Sequence, residues 1–235
     1  MPSLQDEHVL SFGGQGEVGA MNTFLSVGSK PEDYHPLVRE YFRMSTLDEI
    51  GIKHQTDKAS QFSRTYAKPH DYLRHLERFF EPMREDCISL IECGVGGGES
   101  IKMWLEYFPA ASVWGIDLVY DTNPFNSLSK SPTDRYRFSC GNQSNPRFWD
   151  GFFGAYGREF NIAIDDGSHV ASDMKAMFTS VWPHLKSGGF YVVEDLNFDG
   201  NSKVWTQNFI HHIHEGTTDV AFIYFARELC VMRKK

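Results

Sequence analysis

Two short stretches carry residue types that can do chemistry together. The apolar run Phe160-Asn161-Ile162-Ala163-Ile164 delivers Asp165-Asp166-Gly167-Ser168-His169, and Gly189-Phe190-Tyr191-Val192-Val193 delivers Glu194-Asp195. Runs of this length and apolarity read as buried strands, so each is a strand tipped with acids. Carboxylates offered from the carboxyl ends of neighbouring parallel strands suit a hard divalent cation, Mg2+ first, with Mn2+ or Ca2+ as alternatives. Asp166, Glu194 and Asp195 are the expected ligands. His169 follows Asp166 in the same loop, and an imidazole titrates near neutrality, as a general base requires. Gly167 and Ser168 permit a turn tight enough to bring Asp166 and His169 to one oxygen. Asp165 is adjacent to Asp166 on an extended chain and is expected to point the other way, orienting the loop or approaching a cofactor rather than binding metal.

The elements that must position these loops can be read outward from them. Ile88–Cys93 is a buried strand, the turn Gly94-Val95-Gly96-Gly97-Gly98-Glu99-Ser100 follows, and Ile101 to Phe108 reads as a helix. Strand, glycine turn and helix let backbone approach a nucleotide-like ligand at a helix N-terminus. Ser112–Asp117 is a second strand, and its terminal acid arrives about 20 residues after the glycines, where it can accept hydrogen bonds from ribose hydroxyls. Residues 121–133, rich in Ser, Pro and Asn, read as a mobile loop. Arg135–Cys140 is a third strand. Ser144 is a candidate cap for a helix from Pro146 through Tyr156. Ala171 to Leu185 reads as a helix, and Ser187-Gly188-Gly189 turns into the fifth strand. A helix is expected over 201–213; its His211, His212 and His214 lack a carboxylate at ligand spacing. The runs 220–225 and 228–233 lie so close that they must pair antiparallel. The sum is an α/β fold: a doubly wound, mostly parallel seven-stranded sheet with a C-terminal antiparallel hairpin.

Before the sheet, residues 70–80 place Tyr72, Leu73, Leu76, Phe79 and Phe80 at helical spacing, as for a helix packed on the sheet. Residues 1–45 read as an arm outside the domain, flexible or covering a partner or the site, with the domain itself spanning 46–235. Within the arm, Gly14-Gln15-Gly16-Glu17-Val18-Gly19 matches a dinucleotide-binding spacing but lacks the strand and the later acid which that use needs. The formal charge of −8 disfavours a nucleic-acid or anionic-membrane partner. No apolar run is long enough to span a bilayer, and no secretory leader is evident. Cys87, Cys93, Cys140 and Cys230 lack zinc spacing, and Cys93 and Cys140, at strand ends, read as free buried thiols. These features point to a cytoplasmic protein, for which a homo-oligomer is an open option.

The glycine loop, Gly115-Ile116-Asp117 and the closing hairpin resemble a class I S-adenosylmethionine-dependent methyltransferase. More narrowly, the chain is similar to metal-dependent sugar O-methyltransferases of the macrolide and rhamnosyl type. The resemblance rests on Thr56-Asp57-Lys58, His70-x-Tyr72 with Glu77 and Phe80, Met103-Trp104 with Tyr107-Phe108-Pro109, Gly141-Asn142-Gln143-Ser144, Asp165 through His169, and Gly188-Gly189 through Glu194-Asp195. It covers about residues 50–196. Leu76 stands where the family often has Tyr, and Asn142 where it often has Asp.

The resemblance implies S-adenosyl-L-methionine as cofactor. Glu92 and Gly94 then belong to its methionine and ribose side, Asp117 to the ribose, Asn142 and Gln143 to the adenine region, and Thr56 and Lys58 to lid contacts. It implies transfer of a methyl group to a hydroxyl of a sugar or glycoside acceptor. Such an oxygen must lose its proton near the transition state, which a touching cation and His169 would together achieve. Two alternatives stand beside this reading. One is a metal-dependent O-methyltransferase of a catechol or other phenol. The other is a cofactor-binding scaffold without catalysis.

Overall fold

The computed structural model describes residues 46–61, 69–119, 134–196, 219–226 and 228–235. The N-terminal arm, the 121–133 loop and the expected helix over 201–213 lie outside these residues. Two helices come first: α1 (Thr46–His54) and α2 (Leu73–Phe80), the latter followed by a 3-10 turn at Glu81–Met83. The alternation then begins: β1 (Ser89–Cys93), α3 (Glu99–Tyr107), β2 (Ser112–Asp117), β3 (Tyr136–Cys140), α4 (Pro146–Tyr156), β4 (Phe160–Asp165), α5 (Ala171–Val181) and β5 (Leu185–Val193). The chain closes with β6 (Val220–Ala226) and β7 (Leu229–Lys234).

These strands form one seven-stranded sheet in the order β3-β2-β1-β4-β5-β7-β6. β1 to β5 pair in parallel, while β7 runs antiparallel to both β5 and β6. The expected fold class is therefore the observed one. Successive strands step one way from β1 and the other way from β4, so the order reverses between those two neighbours. Open α/β sheets bind ligands in the crevice at such a reversal, outside the carboxyl ends of the strands.

Strand alternation sorts the core into two layers. Leu90, Val113, Ile162, Ile164, Phe190 and Val192 face α1, α2 and α3. Ile91, Trp114, Ala163, Phe160, Tyr191 and Val193 face α4 and α5. Burying a side chain of this size contributes about 1.5–3 kcal/mol, so both faces of each central strand are apolar and the polar residues are displaced to the strand ends. Register keeps those ends level: Cys93 pairs with Ile116 and with Asp165, and Asp165 pairs with Val193. The ladder continues one residue further, with Asp166 N–H donating to Cys93 O at 2.9 Å and Glu194 N–H to Asp165 O at 3.0 Å. The loops after β1, β4 and β5 thus leave from one edge.

Three local expectations are corrected. The cap of α4 is Asn145, whose side chain accepts from Arg147 N–H, because it holds the extended conformation directly before Pro146. Ser144 instead donates to Asn142 Oδ1. The helix expected to reach Leu185 ends at Val181, since Pro183 forces a 3-10 turn and Leu185 already belongs to β5. Cys140 is exposed rather than buried, while Cys93 and Cys230 are buried, and none of the four cysteines forms a disulfide among the described residues.

The reversal point depends on a glycine. Gly94 has φ of +91°, and a Cβ there would lie 1.8 Å from the carbonyl oxygen of Asp166. Gly94→Ala is expected to destabilise the protein by about 2 kcal/mol or more, since backbone must move and the dihedral is strained. Gly154→Ala, in α4 with open space around it, should be neutral or stabilise by up to about 1 kcal/mol. Urea unfolding of the two variants checks the contrast; equal stabilities would show that the β1 and β4 loops do not touch as described.

Candidate active site

A cleft of about 530 Å³ opens at this edge. Thr56, Lys58, Gly94, Asp117, Asn142, Gln143, Asp166, His169 and Asp195 all line it. Of the residues expected in the site, Glu92, Asp165 and Glu194 do not; each is buried behind the wall.

At one end, the glycine loop meets Asp117. Its Oδ2 accepts from Val95 N–H at 2.9 Å and from Gly96 N–H at 3.1 Å. The acid at the tip of β2 therefore fixes the glycine turn as well as facing the cleft. Gln143 forms the floor between the ends. Its Oε1 accepts from Ser168 N–H at 2.8 Å and its Nε2 donates to Asp165 Oδ1 at 3.1 Å. A Cβ on Gly167 would strike Gln143 Oε1, so this loop position requires glycine for the close approach. Asn142 spends its side-chain oxygen on the N–H and hydroxyl of Ser144.

Asp165 does point away from Asp166. It is held between Gln143 and Tyr191, and burial pushes its pKa up to about 7 against the pull of those hydrogen bonds. In the structure it braces the β4 loop against Gln143 and Tyr191.

At the other end, atoms of Asp166, His169 and Asp195 lie within 4.8 Å of one another. His169 and Asp195 both adopt left-handed backbone, with φ of +57° and +55°. His169 Nε2 is 3.6 Å from Asp195 Oδ2. Glu194 takes a different partner. Lys58 Nζ lies 2.5 Å from Glu194 Oε2, 2.5 Å from Asp166 Oδ2 and 3.3 Å from Glu92 Oε1. Lys58, expected as a lid contact, is thus the internal counter-ion of three carboxylates. Burial alone would lower its pKa, but the charges of Asp166, Glu194 and Glu92 outweigh it and raise the value well above normal. Burial likewise raises Glu194 and Asp166, with Lys58 opposing in both. Glu92, also accepting from Ser100 Oγ and Trp104 Nε1, is pushed up to about 7 by burial despite Lys58.

One cation serves three acids here, and Glu194 Oε1 is buried without a hydrogen-bond partner among the described residues. A divalent ion beside Asp166, Glu194 and Asp195 fits that deficit, and the donor set is of the hard oxygen kind that Mg2+ takes. The glycine turn leaves room for a nucleoside ligand, since the Cβ position at Gly96 meets none of the described residues within 4 Å. The acid-rich lining suits a ligand bearing a cationic sulfonium.

Sheet order, reversal point and glycine turn together define a class I, Rossmann-like methyltransferase fold. Among solved structures, the MycE methyltransferase from the mycinamycin biosynthetic pathway, in complex with Mg and SAH, superposes with a TM-score of 0.68 at 23% identity, covering 82% of this chain and 55% of that one. No protein-family model matches. In sequence, the chain is 33% identical over 157 residues to L-olivosyl-oleandolide 3-O-methyltransferase of Streptomyces antibioticus, covering 63% of this chain and 36% of that protein. It is 32% identical over 151 residues to mycinamicin VI 2''-O-methyltransferase of Micromonospora griseorubida, covering 58% and 35%. It is 34% identical over 157 residues to 8-demethyl-8-alpha-L-rhamnosyl tetracenomycin-C 2'-O-methyltransferase of Streptomyces olivaceus, covering 64% and 37%. Over the matched stretch this chain is a homologue of sugar O-methyltransferases. It spans little more than a third of the length of these relatives.

Two outcomes follow from the buried charges. Lys58→Met should cost about 3–5 kcal/mol in metal-free buffer, the usual penalty for stripping a buried acid of its partner; a loss below about 1 kcal/mol would mean that the ammonium is solvated rather than paired. Glu92 gives a pH dependence. An acid with a raised folded pKa holds its proton more tightly in the native state. It stabilises the fold below its ordinary value of 4.5, and that contribution is lost as pH rises through about 7. Glu92→Gln keeps an acceptor for Ser100 and Trp104 but cannot titrate. Between about pH 5 and 7, wild-type stability in urea should therefore fall more steeply than that of Glu92→Gln; parallel curves would contradict the assignment.

Proposed function

We propose that this chain transfers a methyl group from S-adenosylmethionine to a hydroxyl of a sugar or glycosylated natural product, with Mg2+ as the metal and His169 as general base. The observation that carries this reading is that one cleft is lined by both groups of residues that such a reaction would use. The glycine turn, Asp117 and Asn142 line one end, Asp166, His169 and Asp195 line the other, and Gln143 lies between them. The sugar O-methyltransferase names of the relatives support the acceptor class, and the Mg and SAH of the MycE complexes support the cofactor pair.

A sugar hydroxyl is a weak nucleophile until its proton leaves. Asp166, Glu194 and Asp195 would hold a divalent ion, which when bound acidifies a hydroxyl oxygen and fixes its position. His169 Nε2 faces both that region and Asp195 Oδ2, so it is the atom that takes the proton, and the Asp195 carboxylate stabilises the imidazolium that results. The oxygen then bonds to the methyl carbon as the carbon–sulfur bond breaks, leaving a methyl ether and S-adenosylhomocysteine. The acidic lining favours the sulfonium before transfer more than the neutral thioether after it, which assists product release.

His169→Ala should lower kcat by about 100-fold or more with cofactor binding retained. EDTA should abolish transfer, and Mg2+ should restore it. A near-normal rate in the variant removes His169 from the base role, and full activity in EDTA removes the metal. An acceptor panel separates the classes: turnover of catechols with none of rhamnosyl or macrolide glycosides would replace the sugar reading, and cofactor binding without turnover of any acceptor would favour a scaffold.

A further inference from the structure

The chemistry above leaves the His70-x-Tyr72 pattern unused, and the fold gives it a task. Tyr72 directly precedes α2 and is only 2% exposed. Its hydroxyl donates to Asp195 Oδ1 at 2.6 Å, across 123 residues of sequence. Asp195 N–H points back at the same hydroxyl oxygen at 3.4 Å. His70 Nδ1 lies 3.3 Å from Asp195 Oδ1, and its ring centroid is 5.0 Å from that of Tyr72. The two residues therefore grip one carboxylate oxygen and leave the other, Oδ2, turned toward His169.

Asp195 needs such a grip. Its φ of +55° is a conformation that residues other than glycine adopt at a cost. Both ends of the contact are tied to the frame. Tyr72 N–H donates to Lys58 O at 2.8 Å, and Leu196 N–H donates to Glu228 O at 2.9 Å just beyond Asp195. Tyr72 is thus anchored to the segment that carries the counter-ion of Asp166 and Glu194, while its hydroxyl fixes the third acid.

We propose that Tyr72 is a positioning residue: its hydroxyl holds Asp195 in the left-handed conformation that sets Oδ2 beside Asp166 and His169. The role rests on the reading of Asp195 as part of the reaction centre. Partners that orient a ligating carboxylate set its competence, and their loss typically weakens metal affinity about 10- to 100-fold. A tyrosine that served only as core would lose nothing on replacement by phenylalanine, which fills the same space.

The test is Tyr72→Phe, alone and combined with Asp195→Gly, which removes the carboxylate and suits the positive φ. In EDTA, Tyr72→Phe should favour unfolding by about tenfold in the wild-type background, the scale of a hydrogen bond to a charged group, and by little with Asp195→Gly. Mn2+ titration should show affinity weakened about 10- to 100-fold by Tyr72→Phe, with KM for S-adenosylmethionine unchanged. Equal effects on unfolding in both backgrounds overturn the latch. Wild-type Mn2+ affinity in Tyr72→Phe overturns the positioning role. If wild type binds no Mn2+ while the unfolding coupling persists, the latch stands and the metal reading of the site falls.

Discussion

A single buried ammonium organises the carboxyl edge of this sheet. Lys58 reaches Asp166 and Glu194, 108 and 136 residues away in sequence, and also touches Glu92. Three carboxylates from three parallel strands cannot be buried together without compensation, because each loses its hydration and repels the others. The lysine makes the arrangement tolerable by opposing the upward push of burial on all three acids. The oxygen donors gathered round it at the reversal point of the sheet are the basis on which the proposed divalent ion and sulfonium would share one cleft.

The backbone that delivers Lys58 delivers Tyr72 as well. His70 N–H donates to Asp57 O, Asp71 N–H to Ala59 O and Tyr72 N–H to Lys58 O, so residues 57–59 and 70–72 are stitched side by side. One stitched pair therefore controls the tips of two strands, β4 through Lys58 and β5 through both residues. The same economy appears in the rest of the cleft, where Asp117 closes the glycine turn and Gln143 holds both Ser168 and Asp165. The cleft is walled by side chains that fasten one loop to another.

Much of the fold was legible because apolar runs ending in acids mark parallel strands, and the tight 220–233 spacing allows only a hairpin. The cleft's glycine turn and Asp117 were legible for the same reason: a strand, a turn and an acid at the right spacing are local patterns. The ion pairs of Lys58 with Glu92, Asp166 and Glu194 were not foreseen because these partners are distant in sequence. Nothing around Thr56-Asp57-Lys58 shows that the ammonium turns inward. The excess of acids at the strand ends was the signal that a buried cation was needed. The cap of α4 was missed for a smaller reason: Ser144 and Asn145 are both good capping types, and the fixed φ of Pro146 selects its immediate neighbour.

Strand parity could have placed Glu92 correctly. Leu90, Ile162, Ile164 and Val192 face α1, α2 and α3. Continuing that alternation puts Glu92, Asp166 and Glu194 on the same side, where α1 and α2 frame the segment bearing Lys58. Asp165 and Asp195 fall on the opposite parity, and their fates diverge. Asp165 stays on its own face, tied to Gln143 and Tyr191. Asp195 is brought back by its positive φ and by Tyr72, which packs with the α1 and α2 layer. A departure from alternation at one residue thus separates an acid that braces the loop from an acid that faces the cleft. That departure persists because the tyrosine hydroxyl compensates for the backbone conformation it requires.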